Sequence, residues 1–230
     1  HPMNSMEREM VEVLTDLGKN YGVTEVKAEF ESEGSRLNEL MRLKDIASRC
    51  GVGIVLKIGG PEAIRDIHDA MLIGVSSIVA PMVESAYSLR KFIEAIEKKV
   101  RADARQEVSV AVNVETAQAC QNLDQMLALP GIKSITRITV GRVDLSGSLD
   151  LKRDAINSDQ IFDITKAVCE KARKAGLSTT IGGGISLEAI PFIERLLNEK
   201  LIDRFETRKI VFDASVKNIP EAIRRAGRFE

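Results

Sequence analysis

Between positions 26 and 31 the chain reads Val-Lys-Ala-Glu-Phe-Glu, so Lys27, Glu29 and Glu31 alternate with Val26, Ala28 and Phe30. On an extended segment, residues two apart share a face, which sets one cation and two carboxylates side by side and the apolar side chains opposite. The segment ending at Glu115 sorts the same way. Val108, Val110, Val112 and Val114 fall on one face, and Ser109, Ala111, Asn113 and Glu115 on the other. Lys57 and Arg137 fit inward by similar reasoning, and Glu206 shares parity with Arg204 and Arg208. Burying such groups costs several kcal/mol each unless they are paired or bind something. Charge confined to one parity therefore points to a polar interior that binds ions or moves protons, with a structural salt-bridge network as the competing reading. Histidine chemistry has almost no material here. His68 is the only histidine besides His1 and falls on a predicted helix, which argues against a histidine-rich metal site and a Ser-His-Asp triad.

The elements that must position these residues follow from an alternation along the chain. Apolar stretches of strand length recur, each followed by a helix-period pattern and then a glycine, the signature of repeated βα units around a parallel sheet. Seven strands are predicted: Val26 to Glu31, Gly53 to Ile58, Ser77 to Met82, Val108 to Glu115, Ile135 to Val140, Ser178 to Gly182 and Asp203 to Arg208. Pro61 is placed to open a helix, Ser158 and Ser186 to cap others, and Gly51, Gly74 and Gly176 to end them. The expected fold is a single-domain (β/α)8 TIM barrel over residues 1–230, with an N-terminal helix in 1–20, the barrel in 21–215 and a C-terminal helix in 216–230. Glu115 then lies inward at the C-terminal end of its strand, the end where barrels of this kind assemble their chemistry. Closure is the irregular point. Ile210 to Asp213 follows the seventh strand too closely for another right-handed βα unit, so either that segment is one long strand or the barrel closes unusually near the termini.

Length and composition agree with this. At 230 residues the chain suits one barrel, since such domains take roughly 200 to 250 residues. With 33 basic against 34 acidic side chains there is no global positive field to attract nucleic acid or a membrane surface. No apolar run reaches the roughly 20 residues of a membrane span. His1 to Met10 has neither a basic nor an apolar leader pattern, so a cytoplasmic address is the default expectation. Cys50, Cys120 and Cys169 are odd in number and widely spaced, which reads as reduced core residues, neither disulfide nor zinc ligands.

Four segments together resemble the HpcH/HpaI aldolase and citrate lyase β-subunit family: Lys57-Ile58-Gly59-Gly60 with the following Pro-Glu-Ala-Ile, Ile78-Val79-Ala80-Pro81-Met82-Val83, Val112-Asn113-Val114-Glu115-Thr116, and Gly141-Arg142-Val143-Asp144-Leu145-Ser146-Gly147-Ser148-Leu149. The resemblance runs from about Val26 to about Gly184. Its most specific parts are the Glu-Thr pair ending one strand and the Gly-x-x-Asp-Leu-Ser segment ending the next. It implies that Glu115 and Asp144 bind Mg²⁺ or Mn²⁺, and two carboxylates with water and substrate oxygens do suit a hard cation. It further implies a lyase or aldolase in which the ion chelates a 2-oxo acid such as pyruvate, oxaloacetate or a phosphoenolpyruvate-like substrate and stabilises an enolate. The amides around Val143, Asp144 and Leu145 would cradle the substrate carboxylate. Thr116 and Ser146 serve equally well as caps or as substrate contacts.

Two departures from the family's pattern shift roles to other residues. Lys57 stands where the aldolases carry an arginine, and a lysine lacks the bidentate fork, so Lys57 acts alone or Arg208 or Arg137 supplies the geometry. Where they carry His-Gly after the first strand, this chain reads Glu31-Ser32-Glu33-Gly34. Glu33 then matches by alignment as proton carrier, while Glu29 and Glu31 fit by strand parity. The Gly182-Gly183-Gly184-Ile185-Ser186 segment reads either as a tight turn or as a phosphate site, with Gly183 and Gly184 contacting substrate. Alternative readings are a citrate-lyase-like thioester lyase and a non-catalytic ligand-binding barrel. The resemblance also implies a homo-oligomer.

Overall fold

The computed structural model describes residues 2–230 and closes the alternation into an eight-stranded barrel in sequential strand order. The strands are β1 (Val23–Glu29), β2 (Gly53–Lys57), β3 (Ser77–Ala80), β4 (Ser109–Val114), β5 (Arg137–Gly141), β6 (Ser178–Gly182), β7 (Arg204–Glu206) and β8 (Ile210–Asp213). From β1 to β7 each strand pairs in parallel with the next. β8 is antiparallel to both β7 and β1. The barrel is thus seven parallel strands closed by a hairpin. Thr207-Arg208-Lys209 is too short to carry a crossover helix, so the chain can only turn back on itself.

Around the barrel stand α1 (Ser5–Asn20), α2 (Leu37–Arg49), α3 (Ile64–Ile73), α4 (Ala86–Lys99), α5 (Ala117–Leu127), α6 (Arg142–Ser148), α7 (Asp159–Lys174), α8 (Ile190–Asn198) and α9 (Ile219–Phe229). Ser158 caps α7 as expected, accepting from the Ile161 amide. Gly74 ends α3 in the left-handed conformation at φ 77°. Two expected caps differ. Pro61 lies three residues ahead of α3, and Ser186 donates its hydroxyl to Glu188 at 2.6 Å and leaves the following 3-10 turn uncapped.

Strand parity sorts the barrel as the sequence suggests. Val26, Ile54, Ile78, Val112, Ile138 and Ile181 face outward into one continuous core beneath the helices. Inside the barrel, Val55, Val79, Ala111 and Val211 form a small apolar plug. Below it, at the N-terminal strand ends, Glu25 pairs with Arg204 at 2.5 Å, and Arg137 donates to the Ser77 hydroxyl at 2.8 Å. Here Arg204 is part of a structural ion pair. Arg137 belongs to this lower storey, away from the C-terminal face. Above the plug lies a polar cavity.

Candidate active site

The cavity encloses about 160 Å³ at the C-terminal strand ends. Glu115 follows β4 directly and is 5% exposed. The Met82 amide donates to its Oε1 at 2.9 Å, and the Asn113 side-chain amide faces Oε2 at 3.5 Å. Met82 makes the first of these bonds from a left-handed backbone, φ 51°, which a non-glycine residue adopts only under constraint. Gly141 completes the seat: a Cβ there would lie 2.6 Å from Glu115 Oε2, so only glycine lets the carboxylate lie against β5. Burial pushes the Glu115 carboxyl above its ordinary range and the negative charge of Asp144 adds to this, against the Met82 hydrogen bond and the Lys57 charge. Asp144 stands in the first turn of α6 and borders the same cavity.

The opposite charge enters as matched pairs. Lys57 ends β2 and pairs with Glu29 at 3.2 Å, and Lys27 sits between Glu206 at 3.1 Å and the Thr207 carbonyl at 3.2 Å. Burial raises the Glu29 pKa, but the Ser32 hydroxyl and the Lys57 and Lys27 charges outweigh it and hold the carboxyl below its usual range. Gly182 makes room for Glu206 much as Gly141 does for Glu115, since a Cβ would approach Glu206 to 3.0 Å. Lys27, Glu206, Asn113 and Thr139 line the cavity without having been singled out as catalytic, although strand parity had already turned Lys27, Asn113 and Glu206 inward.

Several sequence candidates stand elsewhere. β1 ends at Glu29, so parity no longer governs Glu31, which is exposed and lies against Gly59. Glu33 is ion-paired with Lys209. Arg208 is exposed on the β7–β8 turn, past the end of β7, and does not line the cavity. Val143 borders the cavity, whereas Leu145 is fully buried in the core on α6. The expected amide loop is thus the first turn of a short helix. Gly183 borders the cavity at φ 82° and packs on that turn, where a Cβ would lie 2.8 Å from the Val143 amide nitrogen; Gly184 does not line the cavity. Thr116 caps α5 by accepting from Ala119, and the Ser146 hydroxyl is buried without a partner among the described residues.

Sequence reading also missed Arg142, which is wholly buried and anchors the loop after β6. Its guanidinium donates to the Gly183 carbonyl at 2.8 Å and the Gly184 carbonyl at 3.0 Å. Desolvation pushes it down to about 10, which leaves it charged at neutral pH. These bonds turn the carbonyls of the glycine segment toward a cation, which fits the tight-turn reading better than a phosphate cradle.

The residues present fit a divalent cation. Glu115 and Asp144 face one cavity with no ion-pair partner among the described residues, and the neighbouring Asn113 Oδ1 is buried and unbonded. Among the described residues no cluster of three or more metal-binding side chains exists. Two protein carboxylates, with water and substrate oxygens completing the shell, are the donor set of a hard ion such as Mg²⁺.

A parallel-stranded barrel with ionisable groups gathered at the C-terminal strand ends belongs to the class of barrel enzymes that assemble chemistry on that face. Residues 37–182 match the model of the HpcH/HpaI aldolase/citrate lyase family, and the chain belongs to that family, whose members are lyases. No curated protein matches the chain. Among solved structures, a HpcH/HpaI aldolase/citrate lyase family protein from Burkholderia cenocepacia J2315 is similar at 18% identity and TM-score 0.67, over 89% of this chain and 84% of that one. A HpcH/HpaI aldolase from Desulfitobacterium hafniense DCB-2 gives 15% and 0.69, over 89% and 82%. The citrate synthase SbnG gives 16% and 0.68, over 86% and 81%. At such identities the likeness establishes the shared fold.

Proposed function

We propose that this chain is a divalent-metal-dependent carbon–carbon lyase or aldolase acting on a 2-oxo acid unit of the pyruvate, oxaloacetate or phosphoenolpyruvate kind. The observation that carries the reading is Glu115 and Asp144 bordering one cavity with no cation among the described residues paired to either, while every lysine there already has a carboxylate. Mg²⁺ or Mn²⁺ held by these two carboxylates would act as a Lewis acid where negative charge develops on substrate oxygen. Lys57 adds a fixed positive charge beside that oxygen. Of Glu29, Glu31 and Glu33, only Glu29 lines the cavity, which makes it the one positioned to exchange a proton with substrate, as a weak base while the Lys57 pair holds its pKa down. The apolar plug of Val55, Val79, Ala111 and Val211 closes the floor and keeps water from entering through the barrel.

Action in the cytoplasm and assembly into a homo-oligomer belong to the same proposal. Three unpaired cysteines suit a reducing compartment. Leu37, Met41 and Leu72 leave an exposed apolar area on α2 and α3 for a neighbour to cover.

Calorimetric titration with Mg²⁺, alongside assays of oxaloacetate decarboxylation and of aldol cleavage yielding pyruvate, tests the reading. Glu115→Ala and Asp144→Ala are each expected to abolish both ion binding and turnover. Full activity in either variant, or in excess chelator, would overturn it.

A further inference from the structure

Each lysine facing the cavity already has its carboxylate, Lys27 with Glu206 at 3.1 Å and Lys57 with Glu29 at 3.2 Å. The remaining lining carboxylates, Glu115 and Asp144, suit a cation. Apart from these two ion-paired lysines, no lining side chain has positive charge left over for an anionic substrate group. One buried cation next to the cavity does. Arg142 is 0% exposed, yet no carboxylate pairs with it among the described residues. Neutral oxygens alone hold its guanidinium: the carbonyls of Gly183 at 2.8 Å, Gly184 at 3.0 Å and Ile156 at 3.3 Å, and Asn157 Oδ1 at 2.8 Å. The Phe192 ring centroid lies 4.4 Å from it. A guanidinium keeps its proton in proteins, and a buried charge without a counter-ion is costly to maintain. Gly183 itself borders the cavity, so the charge lies one peptide group behind the cavity wall. Through low-dielectric surroundings its field extends into the site.

We infer that Arg142 is a positioning residue whose uncompensated charge draws the anionic end of the substrate to the wall formed by Gly183 and Val143. The substrate then enters in one orientation, with its other oxygens toward Glu115 and Asp144. This rests on the reading of the cavity as a divalent-ion site for an anionic 2-oxo acid.

Asn157→Asp tests it by supplying the absent counter-ion at nearly unchanged volume, with the Arg142 hydrogen bond kept. The full chain is titrated calorimetrically with Mn²⁺, and the Mn²⁺-loaded protein with oxalate. Neutralising the field favours the cation and disfavours the anion, so Mn²⁺ is expected to bind about threefold tighter and oxalate about threefold more weakly. Arg142→Met, if it folds, is expected to give the same pair of opposite shifts. A purely structural Arg142 predicts otherwise: both affinities fall together in Arg142→Met, and Asn157→Asp leaves both unchanged. Either result overturns the inference, and Asn157→Asp decides alone if the other variant does not fold. Failure of the unmodified chain to bind Mn²⁺ is a separate outcome, which overturns the metal-site reading and this inference with it.

Discussion

Burial shifts Glu115 toward its protonated form, and the Asp144 carboxylate shifts it further. The native state therefore holds this proton more tightly than the unfolded chain, whose ordinary value is 4.5. The stabilising effect is fully present below that value and is lost as pH rises through the raised native pKa. Metal-free Glu115→Gln is accordingly expected to melt at a higher temperature than the unmodified chain at pH 7, with the gap closing toward pH 4. A divalent ion must displace the same proton, so Mg²⁺ affinity is expected to increase with pH across the Glu115 titration, as calorimetry at several pH values would show. Gly141 is the second determinant at this scale. Gly141→Ala drives a methyl group into Glu115 Oε2, which is expected to cost about 1–3 kcal/mol of stability in urea melts. Displacing the carboxylate is expected to weaken Mg²⁺ binding roughly 10-fold or more.

At the scale of elements, the inward charges of the strands divide into two storeys with different purposes. Arg204 and Glu25 lie below the apolar plug, at the N-terminal strand ends. Arg204→Met would leave Glu25, 6% exposed, without its cation, at an expected loss of about 3 kcal/mol. Because the plug separates this pair from the cavity, kcat per folded molecule is expected to stay unchanged. A urea melt and a steady-state assay on the same preparation check the two halves of this prediction. The β7–β8 hairpin shows how an element can also serve the site. Its turn offers the Thr207 carbonyl to Lys27 and the Lys209 ammonium to Glu33, tying the closing strands to the loop after β1.

For the molecule as a whole, closure depends on a strand that runs against the direction of the other seven. Phe205 on β7 and Phe212 on β8 stack at 5.2 Å and are both fully buried, which seals the hairpin to the outer core. Phe212→Ala is expected to cost about 3–5 kcal/mol. It should lower the melting temperature in a single cooperative step, since the outer core is one continuous cluster from α1 to α9. Two separate transitions in calorimetry would show instead that the closing hairpin unfolds on its own.

Parity alone made the interior legible. A strand's period of two places Lys27, Glu29, Lys57, Asn113 and Glu115 inward whatever lies around them, and the glycine-punctuated alternation dictates a barrel. Parity stops where a strand stops, which is why Glu31 and Arg208, each two residues beyond a strand end, fell outside the cavity. Parity by itself does not carry height along the barrel axis, so it turned Arg137 inward without separating it from the groups above the plug. The direction of β8, the seating of Glu115 on Gly141, and the burial of Arg142 behind the glycine loop all depend on contacts between residues distant in sequence. Within each strand, the period of two determines which side chains face in. Only the closed sheet decided which of them meet, because closure sets the register between strands and the register sets the distances.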